Sequence, residues 1–240
     1  MKRFFLTAFF SVPVLLAAHA QTEPAPAPQV RQVPRFRAIR VQGAVGLTIT
    51  AGHDQRVEVS AATPDFQSRL LTKVVDGTLQ ISYDDVLERD DRKLMRTDHK
   101  LRVALTADVI SMLTATSGPA VQATGNFTAP DCVLDFSAGA AITATGLAPN
   151  VLVVRESSGS TVTLSGTAPR LDVRLAGGST FDGQKLQGTR AQLEAGGGST
   201  ARIFATDDLL IEASSGSAVR YYGSPTITKT TTGGSSISAK

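Results

Sequence analysis

The chain has little of what most catalytic and metal sites are built from. Its 240 residues include one cysteine, three histidines and no tryptophan. A single cysteine cannot form an internal disulfide, so packing has to stabilise the fold. No H-x-x-x-H, C-x-x-C or G-x-S-x-G motif occurs, and His53 and His99 lie far apart in polar stretches. The sequence therefore predicts no catalytic, cofactor-binding or metal-binding residue, and Cys132 is expected to pack as a small apolar side chain.

An excess of charge of one sign is also missing. The formal net charge is +3, and Lys2 and Arg3 at the N-terminus contribute most of it. Without these two residues, 22 basic residues stand against 21 acidic ones. A balance of this kind argues against a nucleic-acid-binding surface, which needs a basic patch.

The N-terminus has the pattern of a secretory signal peptide over residues 1–20. Lys2 and Arg3 precede an apolar stretch over residues 4–16, and small residues then lead to a cleavage site after Ala20. We therefore expect export to the periplasm, the outer envelope or the extracellular space. No later segment reaches the roughly 18 apolar residues of a transmembrane helix. Residues 21–35 are rich in Pro and Ala, which predicts a flexible tether.

One glycine recurs every 18–21 residues through the second half of the chain. The repeated glycines are Gly118, Gly139, Gly159, Gly178, Gly198, Gly216 and Gly234. Apolar residues recur mainly at seven and five positions before each glycine and at three and five positions after it. Steps of two are typical of strands, and units this short bury an apolar face only by stacking. We therefore predict a parallel β-helix-like solenoid of about seven coils over residues 111–240, with two or three strands per coil.

The small residues around each glycine fit the corners of such coils. Tight corners need positive φ, which glycine adopts without a steric penalty, and Ser or Thr hydroxyls can bond backbone groups there. A phosphate-binding loop is the alternative, but no Lys and no following helix accompany "AGGGST" at residues 195–200.

Residues four positions before each glycine are expected to face outward. They are Thr114, Asp135, Arg155, Arg174, Glu194, Glu212 and Thr230. Stacking would make Asp135 a neighbour of Arg155 and Arg174 a neighbour of Glu194. This column is either an ordinary solvated face or a ligand-binding stripe.

Residues 36–110 lack the short period but have strand patterns. The runs "FRAIRVQG", "VGLTITAG", "RVEVSAA" and "LRVALTADV" predict strands. Thr63 and Pro64 predict the start of a short helix that ends near Leu71. Asp76 and Gly77 between two alternating runs predict a hairpin with a type I′ turn.

This arrangement resembles the family "putative auto-transporter adhesin, head GIN domain". A β-rich start with the hairpin "DGTLQI" leads into Gly/Ser-rich repeats of about twenty residues, and the resemblance covers residues 36–239. It implies an envelope or secreted protein in which residues 36–240 form one continuous β-helix-like domain. It brings no catalytic residues.

Two functions remain open from the sequence. The first is a non-enzymatic envelope protein whose repeated surface serves adhesion or assembly, with an unknown envelope or surface component as partner and with possible self-association through the coil ends. The second is a carbohydrate-active enzyme that uses outward carboxylates such as Asp135 or Glu194. A dense charged stretch, residues 84–100, is expected to be a solvated loop. Its carboxylates could alternatively bind calcium; they are Asp84, Asp85, Glu88, Asp90 and Asp91.

The export prediction is tested by the position of cleavage. When the full chain is produced in a Gram-negative host, the mature protein is expected to begin at Gln21, as measured by intact mass. Ala20→Arg should leave the precursor uncleaved, because signal peptidase requires a small residue there. A full-length product retained in the cytoplasm would contradict the prediction.

Overall fold

Two long β-sheets face each other across one apolar core. The computed structural model describes residues 26–84 and 99–240. Sheet A holds 11 strands and sheet B holds 10, and each coil of the repeat region contributes one strand to each sheet. Coils therefore have two strands, the lower of the two expected numbers. The chain is an all-β solenoid, as the Gly period predicted.

In its described residues, the N-terminal part consists of seven strands and one helix. They are β1 (Gln29–Arg31), β2 (Ala38–Gln42), β3 (Gly46–Ala51), β4 (Arg56–Ser60), α1 (Pro64–Arg69), β5 (Leu70–Val75), β6 (Thr78–Tyr83) and β7 (Arg102–Ala107).

The repeat region consists of strand pairs that alternate between sheet B and sheet A. They are β8 (Ile110–Thr116) with β9 (Ala120–Thr124), β10 (Thr128–Phe136) with β11 (Ala141–Leu147), β12 (Val151–Glu156) with β13 (Thr161–Thr167), β14 (Arg170–Leu175) with β15 (Thr180–Gln187), β16 (Arg190–Ala195) with β17 (Thr200–Phe204), β18 (Asp208–Ala213) with β19 (Ala218–Tyr222), and β20 (Thr226–Thr231) with β21 (Ser236–Ala239). The path from β8 to β20 makes about six full turns, slightly fewer than predicted.

Residues one repeat apart stack directly on one another, as expected. In sheet A, Ile142 is the register partner of both Val121 and Val162, and the same column continues through Phe181 and Ala201. These five side chains are at most 2 % exposed. Sheet B supplies the opposite wall of the core with the column Leu113, Leu134, Val154, Val173, Leu193 and Ile211, which is fully buried as well. The last member of that column, Lys229, is exposed.

The N-terminal strands join the same sheets in an order that differs from their order in the chain. The pair β2/β3 lies between β6/β7 and β8/β9 in both sheets. Beyond β6/β7, the stack ends in antiparallel strands: β4 and β1 in sheet A and β5 in sheet B. The helix α1 buries Phe66 at this end. Antiparallel strands and a helix thus cover the end of the solenoid, a common way to protect open coils.

Local signals in the N-terminal part are confirmed with small shifts. Thr63 caps α1, because its hydroxyl oxygen accepts a hydrogen bond from the N–H of Phe66 at 3.2 Å. The helix ends at Arg69 because the next residues enter β5. Asp76 and Gly77 both have positive φ and connect the antiparallel strands β5 and β6.

The expected tether over residues 21–35 needs a correction. Residues 29–31 form β1, which pairs with β4 in antiparallel register. The Arg31 guanidinium donates to the carbonyl of Gln67 at 3.0 Å, and the Gln67 amide donates to the carbonyl of Ala27 at 2.9 Å. These bonds between side chain and backbone fix a segment whose composition alone favours disorder.

Every repeat corner uses two successive residues with positive φ, and the second is always glycine. The corner amides and carbonyls also bond from coil to coil; the Gly159 N–H, for example, donates to the Gly177 carbonyl at 3.0 Å. Four corner serines are buried, namely Ser160, Ser179, Ser199 and Ser217. The last three donate to the carbonyl three residues earlier at 2.7–2.8 Å. The hydroxyls thus satisfy the corner backbone, as predicted.

Gly166, near the end of β13, has a different role from the corner glycines, and a matched pair of substitutions can separate the two roles. A Cβ at Gly159 would meet nothing within 4 Å, whereas one at Gly166 would overlap the backbone of Leu147. Gly159→Ala should therefore cost only the strain of positive φ, about 1–2 kcal/mol. Gly166→Ala should cost about 3 kcal/mol or more, because two backbones must separate. Urea denaturation of both variants measures the difference, and equal losses would contradict this assignment.

Candidate functional site

The two outer faces of the solenoid are where this protein can meet a partner. Aliphatic side chains fill its interior, so the residues that alternate with them along each strand point to solvent. Both faces are periodic, because every outward position recurs in the next coil. Their chemistry differs sharply.

The outer face of sheet A carries an array of exposed threonines from β3 to β17, which we call the threonine face. Its members are Thr48, Thr50, Thr124, Thr143, Thr145, Thr161, Thr163, Thr180 and Thr200. Thr50, Thr124 and Thr145 are successive register partners, and so are Thr161, Thr180 and Thr200. Adjacent hydroxyls are thus repeated at the strand spacing of about 4.8 Å.

The threonine face carries no charge over β3, β9, β11 and β13, where its outward residues are Thr, Ser, Gln, Ala and Gly. Charged side chains return at β15 and β17, where Asp182 and Arg202 form an ion pair of 3.0 Å. The apolar pattern of the sequence does not reveal this array. In the repeat region, its threonines lie two, four or six positions after a repeated glycine. A count of outward as well as inward residues at those offsets would have found it.

The outer face of sheet B carries the predicted outward residues in one line, which we call the charged column. It comprises Thr114, Asp135, Arg155, Arg174, Glu194, Glu212 and Thr230 in successive strands. Asp135 with Arg155 and Arg174 with Glu194 are vertical neighbours, as expected. Only the second pair comes within ion-pair distance, with 3.6 Å from Arg174 Nε to Glu194 Oε2. Exposed pairs of this kind contribute at most about 1 kcal/mol.

A shallow groove of about 650 Å³ follows the charged column past the strand ends. Its lining includes Arg155, Arg174, Glu194 and Glu212 together with small corner residues such as Gly196. A groove with both signs of charge suits a partner that also carries both signs.

Glu156 is an ionisable residue inside the core. It is 3 % exposed, and its register partners are Phe136 and Leu175, one coil to either side. Neither carboxyl oxygen has a hydrogen-bond partner in the described part of the chain. Burial raises the pKa of this carboxyl to about 9, so it is neutral at physiological pH. The repeat contains apolar residues at most equivalent positions, so its apolar period does not predict a carboxyl here.

The remaining ionisable residues that the sequence highlighted do not converge. His53 lies 3.4 Å from Asp108 on an exposed loop, whereas His99 packs against the ring of Phe66 with 4.2 Å between centroids. Cys132 is buried, and burial raises the pKa of its thiol to about 12, which suppresses the reactive thiolate. Among residues 26–84 and 99–240, no cluster of three or more His, Cys, Asp or Glu side chains could hold a metal ion. The acidic stretch beyond Asp84, considered for calcium, lies outside the described residues.

The carboxylates of the enzymatic alternative are far apart. Asp135 and Glu194 are separated by three coil steps, roughly 14 Å at the usual strand spacing, whereas glycosidase carboxyls lie about 5–9.5 Å apart.

None of the helical structure described has the length and apolar character needed to cross a membrane.

The family resemblance is decided by a match over most of the chain. The sequence profile described as "Putative auto-transporter adhesin, head GIN domain" matches residues 35–225. The chain belongs to this family. Among curated proteins, none matches the chain.

Solved structures share the fold of this GIN-domain protein. A "putative adhesin" from Bacteroides fragilis is 18 % identical, with a TM-score of 0.73 and coverage of 89 % of this chain and 95 % of that one. A "putative adhesin" from Parabacteroides merdae is 13 % identical, with a TM-score of 0.64 and coverage of 91 % and 97 %. A "putative lipid binding protein" from Parabacteroides distasonis is 16 % identical, with a TM-score of 0.63 and coverage of 89 % and 96 %. At these identities the similarity establishes the fold.

The buried carboxyl of Glu156 predicts a specific dependence of stability on pH. Between its ordinary pKa of 4.5 and the raised value of about 9, the carboxyl is protonated when folded and ionised when unfolded. Unfolding then releases a proton, so the free energy of unfolding falls as pH rises through this window, by at most about 1.4 kcal/mol per pH unit. Glu156→Gln removes this titration. The free energy of unfolding of the variant, relative to that of the wild type, should therefore increase with pH until about pH 9.

Urea denaturation at several pH values within the window measures this effect. Glu194→Gln, which alters an outward carboxyl instead, is the matched control and should follow the wild-type curve. Parallel curves for Glu156→Gln and wild type would show that the buried carboxyl is already ionised in the folded protein.

Proposed function

We propose that this protein is an exported, non-enzymatic adhesin of the bacterial cell envelope. In this proposal the threonine face holds a polymeric surface through many weak, regularly spaced contacts. Membership of the "putative auto-transporter adhesin" family supports an adhesive role, and so does the fold shared with proteins from Bacteroides fragilis and Parabacteroides merdae that are described as "putative adhesin". The signal-peptide pattern of residues 1–20 supports export.

The observation that carries the proposal is the periodic array of hydroxyls on sheet A, which is uncharged over β3, β9, β11 and β13. Threonine hydroxyls both donate and accept hydrogen bonds, and they stand at about 4.8 Å intervals along the stack. A single exposed hydrogen bond contributes little, about 0.5–1.5 kcal/mol. Many such bonds to one polymer add through effective concentration, which makes the whole attachment stronger than any single contact. A hydroxyl- and amide-rich envelope polymer, such as peptidoglycan, therefore fits this face best.

The scarcity of aromatic side chains agrees with surface attachment more than with a sugar cleft. No tryptophan occurs, and aromatic residues make up 5 % of the chain. Sugar-processing clefts usually stack sugar rings on aromatic side chains, whereas a flat hydroxyl array offers repeated hydrogen bonds.

Removal of hydroxyls without a change of shape tests the proposal. The triple variant Thr48→Val, Thr143→Val, Thr163→Val alters one column of the threonine face and keeps β-branched side chains there. We expect its retention on peptidoglycan sacculi and on dextran-coated beads to fall by about tenfold, since several hydrogen bonds are lost together. Co-sedimentation with sacculi and bead retention under flow are the measurements.

The matched control replaces three exposed threonines that lie outside sheet A, with Thr206→Val, Thr231→Val and Thr232→Val. The control should bind as the wild type does. If the wild type is retained by neither polymer, adhesion to envelope polymers is wrong. Release of soluble sugar from either polymer would show instead that the protein is an enzyme.

A further inference from the structure

The order of charges in the charged column is unfavourable for an isolated molecule. Arg155 and Arg174 are direct register partners, and so are Glu194 and Glu212. Like charges on adjacent strands destabilise a sheet, whereas alternating charges would stabilise it. The column instead segregates two positive residues from two negative ones.

The outer two of these four charges have no ion-pair partner among residues 26–84 and 99–240. Arg174 lies 3.6 Å from both Glu194 and Asp172. In contrast, neither Arg155 nor Glu212 has an ion pair or a side-chain hydrogen bond anywhere in the described residues, and both side chains are exposed. The four-residue run from Arg155 to Glu212 thus ends in one positive and one negative group without an ion pair, and beyond them the column continues with Asp135 and Thr230.

A reversed copy of this column is its own complement. The sequence Arg, Arg, Glu, Glu becomes Glu, Glu, Arg, Arg when the stack direction is inverted. A two-fold axis parallel to the strands and centred between β14 and β16 would place Arg155 opposite Glu212 of a second molecule, and Arg174 opposite Glu194. We propose that the outer face of sheet B is a self-association surface on which two copies of this chain pack face to face with antiparallel stacks.

Two neighbouring outward pairs agree with this axis, whereas a third brings two arginines together. Two residues before the charged column, the same symmetry places Val153 opposite Leu210, which are both half-buried aliphatic side chains on an outer face. It also places Asp172 opposite Gln192, a carboxylate against an amide donor. Four residues before the column, Arg170 would face Arg190, whose charge is shared with Asp208 at 3.8 Å.

The proposed dimer goes beyond the proposed adhesive function and is tested separately from it. Packing through the outer faces of sheet B leaves both copies of the threonine face exposed on opposite sides of the dimer. The dimer would therefore be bivalent, with two parallel hydroxyl arrays. An isologous interface of this kind closes after two copies and cannot grow into a fibre.

Charge reversal in two separate variants provides the test. The first variant is Arg155→Glu with Arg174→Glu, and the second is Glu194→Arg with Glu212→Arg. Sedimentation velocity over a wide range of protein concentration should show a dimer for the wild type, weakened by added salt because exposed charges are screened. Each variant alone should have a dissociation constant higher by about a hundredfold or more, since each now opposes like charges across the interface.

A mixture of the two variants makes the test specific for this geometry. At the four positions from Arg155 to Glu212, one variant carries only negative residues and the other only positive residues, so an equimolar mixture should form a heterodimer at least as stable as the wild-type dimer. The control Asp182→Arg with Arg202→Asp exchanges an ion pair on sheet A and should leave the dimer unchanged.

Three outcomes would overturn the proposal: a wild type that stays monomeric at all concentrations, single variants that dimerise as the wild type does, or a mixture that yields no heterodimer. The second outcome would assign self-association to another surface, such as the coil ends. None of these outcomes bears on retention by peptidoglycan, so failure of the dimer and failure of the adhesin remain distinguishable.

Discussion

In-register stacking of like residues is the constraint on which this structure depends. Each coil hydrogen-bonds to the next through both sheets and through the corners, so a residue and its counterpart about twenty positions later have almost the same surroundings. The type of residue that fits one position therefore recurs along the whole column. Apolar residues inside, small residues at corners and hydroxyls outside all follow from this rule. The result is a stable fold without a disulfide or a metal cluster in the described residues.

The same rule determines where function can lie. A filled solenoid offers long outer faces with repeated chemistry, and any polar site must be assembled on them from several coils. Here the two faces have become different. Sheet A presents neutral hydroxyls that suit many weak contacts, whereas sheet B presents ordered charges that suit one oriented partner. With the proposed function and the proposed dimer, this division would let one small domain attach to a polymer surface and to a second copy of itself at the same time.

The sequence predicts most of the solenoid because the rule has a visible period. The buried columns through Ile142 and Val154, the positive-φ corners and the line of the charged column all follow from counting residues relative to one glycine. The same count can locate the threonine face, but the apolar pattern does not mark it, because its residues are polar and point outward. Glu156 could not be assigned a protonation state from the sequence, because its pKa depends on neighbours one coil away. The strand at residues 29–31 depends on distant partners in β4 and α1, which composition does not reveal.

The position of β2/β3 between two coils that come later in the chain has a kinetic consequence. Contacts between successive repeats close short loops, as between Ser160 and Ser179 with a separation of 19 residues. Contacts between the start of the chain and β8 close much longer ones, as between Arg37 and Ser111 with a separation of 74 residues. The longer closure costs about 1 kcal/mol more in chain entropy, so order begins most readily among the repeats. The strands β2 and β3 are therefore synthesised early but complete their pairing late, after the strands on either side of them are available.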